Sequence, residues 1–301
     1  MFIGLSAFPL TPLFNGFLDE EAFIKLIVRL TQAKVDSIGA LGSTGNYAYL
    51  SRKERYQIAK IAVDHSENIP VMVSIGAVRT SDILLLAEDA QLAGVDAVLL
   101  APVSYQRLTQ DEVYCLYADV CRNLSVPLCI YDNPGTTHFE FSDELYIRIS
   151  ELPNVNSIKI PGVPTDTHQA KSRIEKLRSF LPAKVTIGIS GDWHAMNGIK
   201  AGCDIWYSVI AGLYPKLARK IILVASSDDL QLYESLTQQL EPLWALFKQF
   251  GSLRVIAAVA ELEGIITEPC LPAPLMSLNP EARKTLNEVI NQMKNISLIS
   301  E

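Results

Sequence analysis

The sequence has little of what marks most binding and redox chemistries. Basic charge is in deficit: 26 Lys and Arg stand against 33 Asp and Glu, a formal net charge of -7 over 301 residues. No cationic field is therefore on offer to nucleic acid or to an anionic membrane. Histidine is scarce: His65, His138, His168 and His194 are far apart and never pair at helical spacing, so no metal site is expected. The five cysteines, Cys115, Cys121, Cys129, Cys203 and Cys270, include no pair with metal-type spacing. They read as reduced thiols in a cytoplasmic protein. No apolar run approaches the roughly 18 residues of a membrane span. The richest stretch, 209–224, is broken by Pro215, Lys216, Arg219 and Lys220. The opening Met1-Phe2-Ile3-Gly4-Leu5 lacks a cationic flank and is soon interrupted by Pro9, Pro12 and Asp19-Glu20-Glu21, so it reads as a first strand and not as a secretion signal. Gly and Pro, 16 each, are scattered, which excludes low complexity.

What is present is globular: 49% hydrophobic and 20% charged residues. Short β-branched runs alternate with stretches of helical period. Strands are expected at 3–8, 37–41, 71–75, 95–100, 126–131, 155–160, 185–189 and 205–210. Helices are expected at 19–32, 52–64, 81–92, 110–121, 143–150, 167–180, 193–200 and 216–225. Ser51, with Glu54 three residues on, makes a capping box for the second helix. A short echo recurs where a helix turns into a strand: Ala33-Lys34-Val35-Asp36, Ala93-Gly94-Val95-Asp96 and Ala201-Gly202-Cys203-Asp204. Eight strand–helix units over residues 1–225 predict an α/β fold, a (β/α)8 (TIM) barrel. A doubly wound open sheet is the second architecture, weakened because no Gly-x-Gly-x-x-Gly follows the first strand. Residues 226–301, with helices at 229–250, 253–263 and 280–294, are expected to form a C-terminal helical region.

In such barrels the reacting groups lie at the carboxyl ends of strands. Lys159 sits in the otherwise apolar-rich run Val155-Asn156-Ser157-Ile158-Lys159-Ile160. Burial disfavours an ammonium, and a neutral amine in a closed pocket can attack a ketone to form a Schiff base; the other reading is a lysine snorkelling to the strand end. Tyr131 ends the fifth strand just before Asp132-Asn133-Pro134-Gly135. It is either a proton relay to a carbonyl or a packed strand-end ring. Gly42-Ser43-Thr44-Gly45-Asn46 offers backbone N–H groups and two hydroxyls to a carboxylate, or is an ordinary loop. Asp192 is either a site carboxylate or the N-cap of the helix beginning near Trp193. Arg79 is either a carboxylate anchor or an exposed arginine.

Together these pieces resemble the dihydrodipicolinate synthase / N-acetylneuraminate lyase family. The likeness runs from Phe8-Pro9-Leu10-Thr11-Pro12 to the C-terminal helices, with Gly42-Ser43-Thr44-Gly45, Tyr131 before Asn133-Pro134, and Lys159 in the family's order and spacing. The resemblance implies a class I lyase or aldolase on a TIM barrel with a C-terminal helical extension, built as a cytoplasmic homotetramer, a dimer of dimers. It implies that Lys159 forms an imine with pyruvate or another 2-keto acid, that Ser43 and Thr44 hold the acid's carboxylate, and that Tyr131, with Thr44, serves the proton transfers. Tyr105 is similar to the tyrosine some members lend to a neighbouring subunit. Ser208 and Ile210 lie near the family's last-strand substrate contacts. No cofactor is implied beyond the lysine imine, whose cationic nitrogen does the work of a Lewis acid.

Departures narrow the second substrate, a small aldehyde or its condensed product. Thr136 stands where the synthases carry an arginine, Pro161 where the sialic acid lyases carry a threonine, and Asn46 where a glutamate is common. Thr136, Thr137 and His138 suit a hydroxylated 2-keto acid. The alternatives are a genuine 4-hydroxy-tetrahydrodipicolinate synthase, using pyruvate and aspartate semialdehyde, and a non-catalytic barrel that binds keto acids.

Overall fold

A computed structural model describes residues 2–299. Eight parallel strands form a closed ring: β1 (Gly4–Ala7), β2 (Ser37–Ala40), β3 (Val71–Ser74), β4 (Ala97–Leu100), β5 (Leu128–Tyr131), β6 (Val155–Ile160), β7 (Thr186–Ile189) and β8 (Ile205–Ser208). Gly4 lies opposite Ile205 where the ring closes, which excludes the open sheet. A helix follows every strand and covers its outer face. That is why β2, β3, β4, β5 and β8 are buried at every residue and read as unbroken apolar or small runs.

The echoed tetrapeptides share one physical role. Each closes a helix with a residue of positive φ, at Lys34 (54°), Gly94 (87°) and Gly202 (101°). The next N–H returns to the helix five residues back, Val35 to Leu30, Val95 to Ala90 and Cys203 to Gly198. The aspartate then clamps the neighbouring strand. Its Oδ2 accepts the N–H of Leu5, Val71 or Ile187 at 2.8 Å, and its own N–H donates to the carbonyl of that same residue. The clamps of Asp36, Asp96 and Asp204 thus fasten β1 to β2, β3 to β4 and β7 to β8 at the end of the barrel away from Lys159. The capping box of Ser51 and Glu54 is present, and Thr109 with Glu112 forms a second.

Several elements differ from expectation. Most barrel strands are shorter at one end. A small antiparallel hairpin, Leu13–Phe14 with Phe17–Leu18, turns through Asn15 (φ 52°) and Gly16 (φ 81°), the left-handed pair that an Asn-Gly hairpin requires. The stretch expected as a helix at 193–200 divides into a 3-10 turn, Asp192–His194, and a helix, Ala195–Lys200.

After the helix Pro215–Ala225 come Leu230–Phe250, Ser252–Leu262 and Pro280–Asn295. Their junction is polar. The fully buried side chain of Glu261 pairs with Arg283 and accepts from Ser277 Oγ and the Cys270 N–H, while the Cys270 carbonyl takes the Leu13 N–H from the hairpin. Among the described residues no single helix is long and apolar enough to cross a membrane.

Candidate active site

Lys159 stands near the carboxyl end of β6 and is only 5% exposed. Its Nζ lies 4.0 Å from the ring centroid of Phe8, 4.2 Å from that of Tyr131 and 5.6 Å from that of Tyr207. Rings from β5, β8 and the end of β1 therefore wall the amine against water. Phe8 fits because two neighbours have no side chain. A Cβ on Gly39 or on Gly42 would stand 2.4 Å from its ring carbons.

Tyr131 pairs directly opposite Lys159 in the β5–β6 register and is buried. Its phenol oxygen accepts from Asn133 Nδ2 at 3.0 Å and lies 3.2 Å from Ser43 Oγ. These contacts hold the ring beside the amine. In the loop after β2, the N–H groups of Gly45 and Asn46 close turns onto the carbonyls of Gly42 and Ser43. Buried Thr44 lies in the same loop.

One layer down, strand alternation turns Cys129, Ser157 and Tyr207 inward. The Tyr207 hydroxyl is 2.6 Å from Ser157 Oγ and 3.4 Å from Cys129 Sγ, and Thr186 Oγ1 donates to Ser157 Oγ at 2.8 Å. Burial pushes the Tyr207 phenol far above its usual range and the Cys129 thiol up to about 11, so both remain protonated at neutral pH. The floor of the pocket is uncharged.

Asp192 supplies the buried carboxylate nearby. It does not cap the helix at 195; Gly191 and His194 occupy the cap positions, without side-chain bonds. It turns inward, 2% exposed, and accepts from Trp206 Nε1 at 3.2 Å, Val209 N at 3.1 Å and Ile210 N at 2.6 Å. Burial raises its carboxyl to about 6, opposed by those donors and by the charge of Lys159. Asp192 thereby fixes the turn after β8. Asp132, beside Tyr131, is also buried: Oδ2 accepts from the Tyr146 hydroxyl at 2.5 Å and Oδ1 has no partner among the described residues. Burial, against the Tyr146 bond, pushes its carboxyl up to about 6.

The remaining candidates spread out. Tyr105 follows β4 and is 91% exposed, apart from the Lys159 cluster. Thr136 is exposed on the short helix Pro134–Thr137. Ser208 is fully buried, its Oγ accepting the Ala211 N–H at 3.0 Å, and Ile210 gives its N–H to Asp192. Arg79 is exposed at the start of Thr80–Ala93. Phe8 and Tyr207 wall the site and Ser157 lies in its floor; none of the three takes a role from the sequence alone, where Phe8 and Ser157 figure only inside longer motifs. Their inward alternation with Lys159 and Tyr131 is the signal that could have found them.

Comparison with known proteins agrees with this geometry. The model of the dihydrodipicolinate synthetase family matches residues 1–293. The 4-hydroxy-tetrahydrodipicolinate synthase of Thermodesulfovibrio yellowstonii is 28% identical over 292 residues, 96% of this chain and 98% of the relative. A crystal structure of dihydrodipicolinate synthase from Agrobacterium tumefaciens superposes with a TM-score of 0.92 at 44% identity, covering 97% of this chain and 98% of that one. The chloride-inhibited dihydrodipicolinate synthase of Acinetobacter baumannii, solved in complex with pyruvate, gives 0.86 at 27% identity, covering 99% and 100%. With the family model matched over nearly the whole chain and Lys159, Tyr131 and Ser43 gathered at the mouth of a closed barrel, this chain belongs to the dihydrodipicolinate synthetase family.

Proposed function

We propose that the chain is a Schiff-base lyase that makes or breaks a carbon–carbon bond next to the keto group of pyruvate or a related 2-keto acid. The observation that carries this reading is a lysine amine sealed among three aromatic rings, with a tethered phenol next to it. The free amine of Lys159 adds to the keto carbon, and the carbinolamine loses water to give an iminium. The iminium draws electrons from the neighbouring carbon, which gives up a proton to form an enamine. The enamine attacks an aldehyde, and water then releases the product and restores the amine; cleavage runs these steps backwards. Tyr131, steadied by Ser43 and Asn133, passes the protons. Thr44 and Ser43 hold the carboxylate. Pyruvate is the first acid to test because the Acinetobacter relative was solved with it. No cofactor enters this scheme. Tyr105, bare on a single chain, completes the relay across a subunit boundary in a cytoplasmic dimer of dimers.

The second substrate is a hydroxylated 2-keto acid or the aldehyde it releases. The segment after Pro134 presents Thr136, Thr137 and His138 and no guanidinium, so neutral hydrogen bonds replace a charge clamp. The synthase reading, pyruvate with aspartate semialdehyde, is favoured instead by the names of the relatives.

Borohydride reduction in the presence of pyruvate tests the imine. A covalent adduct on Lys159, absent from Lys159→Arg, is expected; an unmodified Lys159 in an active enzyme would falsify the mechanism. A panel of 2-keto-3-deoxy acids scanned for pyruvate release then separates the substrates. Turnover of aspartate semialdehyde with pyruvate, and of no panel member, rejects the hydroxylated acid.

A further inference from the structure

Away from the barrel mouth, a cavity of about 500 Å3 opens between the helix Glu20–Gln32, the first turn of Pro215–Ala225 and residues 297–299. Its wall carries Arg29, Lys216 and Lys220 and, among the described residues, no acidic side chain, in a chain of net charge -7. Among the described residues none of the three cations has an ion-pair partner. The helix that opens onto the cavity begins at Pro215, which has no N–H, and Tyr214 before it gives no side-chain cap. The N–H groups of Lys216 and Leu217 are left at the positive end of the helix dipole.

A second observation is independent of that helix end. Two buried polar atoms of the wall residues, Arg29 Nε and the Tyr214 hydroxyl, have no partner among the described residues, and Tyr214 is only 6% exposed. Burial raises the Tyr214 phenol, so it keeps its proton and is a donor. The nearby Glu263 is already paired with Lys294 at 2.8 Å. The Arg29 guanidinium, two ammonium groups and two backbone N–H groups thus border one space, with the unpartnered Arg29 Nε and Tyr214 hydroxyl buried behind its surface, and among the described residues the wall holds no carboxylate to accept from them. Leu213, Leu217, Leu298 and Ile299 make the rest of the wall apolar.

We propose that this cavity binds a small organic anion, a carboxylate or phosphate monoester carrying an apolar body, at a site separate from Lys159. The volume falls in the ordinary range for small-molecule sites. The test is calorimetric titration of the full chain with phenyl phosphate and with benzoate, which distinguishes the two anion classes. Saturable binding of at least one probe is expected, weakened about tenfold or more in Lys216→Glu/Lys220→Glu, two exposed positions, and in Arg29→Gln. Thr44→Val, at the barrel mouth, should leave that binding unchanged. Absence of saturable binding by both probes, equal affinity in the charge-reversed variant, or loss of binding in Thr44→Val overturns the proposal.

Discussion

Replacing Asp132 by asparagine should remove a defined part of the pH dependence of stability. In the folded chain burial holds this carboxyl at about 6, against 3.8 when unfolded. A folded value above the unfolded one means that the native state binds the proton more tightly. The contribution to stability is therefore full below 3.8 and is lost as the pH rises through 6. Between pH 4 and pH 7.5 the loss integrates to about 2–3 kcal/mol. The amide of the Asp132→Asn variant cannot ionise. Its carbonyl can still accept from Tyr146, while its nitrogen takes the place of Oδ1, which has no partner among the described residues. The measurement is urea unfolding of wild type and Asp132→Asn across that range at one protein concentration. The variant should gain about 2–3 kcal/mol relative to wild type on going from pH 4 to pH 7.5, whatever the offset at pH 4. A difference that stays constant with pH would show that Asp132 is ionised in the fold at little cost, and the reasoning from its burial would be wrong.

Two further outcomes are expected. Tyr131→Phe removes the phenol but leaves the ring beside Lys159; turnover should fall by roughly 10²–10⁴, while borohydride still traps the imine on long incubation, and near-wild-type turnover would remove Tyr131 from the proton path. Asp204→Ala deprives the buried Ile187 N–H of its acceptor and should cost about 1–3 kcal/mol in urea unfolding, more than Asp96→Ala, whose aspartate is exposed; equal midpoints for both variants and wild type would argue that the clamps do not hold the barrel floor.

The barrel itself was legible because each unit announces itself locally. Strands covered on both faces read as apolar runs, helices show their period, and Ser51 with Glu54 is a cap within four residues. The aspartate echo was legible as a repeat, but its meaning depended on which backbone N–H stood across from it in the next strand. Asp192 shows the limit clearly. An acid just before a helical stretch has the same local signature whether it caps the helix or turns inward, and only the donors at 206, 209 and 210 decide. Tyr207, Ser157 and Cys129 meet across 50 and 78 residues of sequence, beyond the reach of any spacing rule. The hairpin at Asn15-Gly16 is different: its dipeptide signal is local and lies within reach of a turn rule.

The ring of Phe8 occupies room that Gly39 and Gly42 leave vacant, and this ties three positions into one evolutionary unit. A descendant that gains a methyl group at 39 or 42 must shrink residue 8 in the same step, and one that trims residue 8 first inherits a hole next to the reactive nitrogen. Drift by single substitutions is thereby obstructed on that side of the chamber. Redesign toward bulkier reactants is better served by a combinatorial library varying residues 8, 39 and 42 jointly than by scanning them in turn.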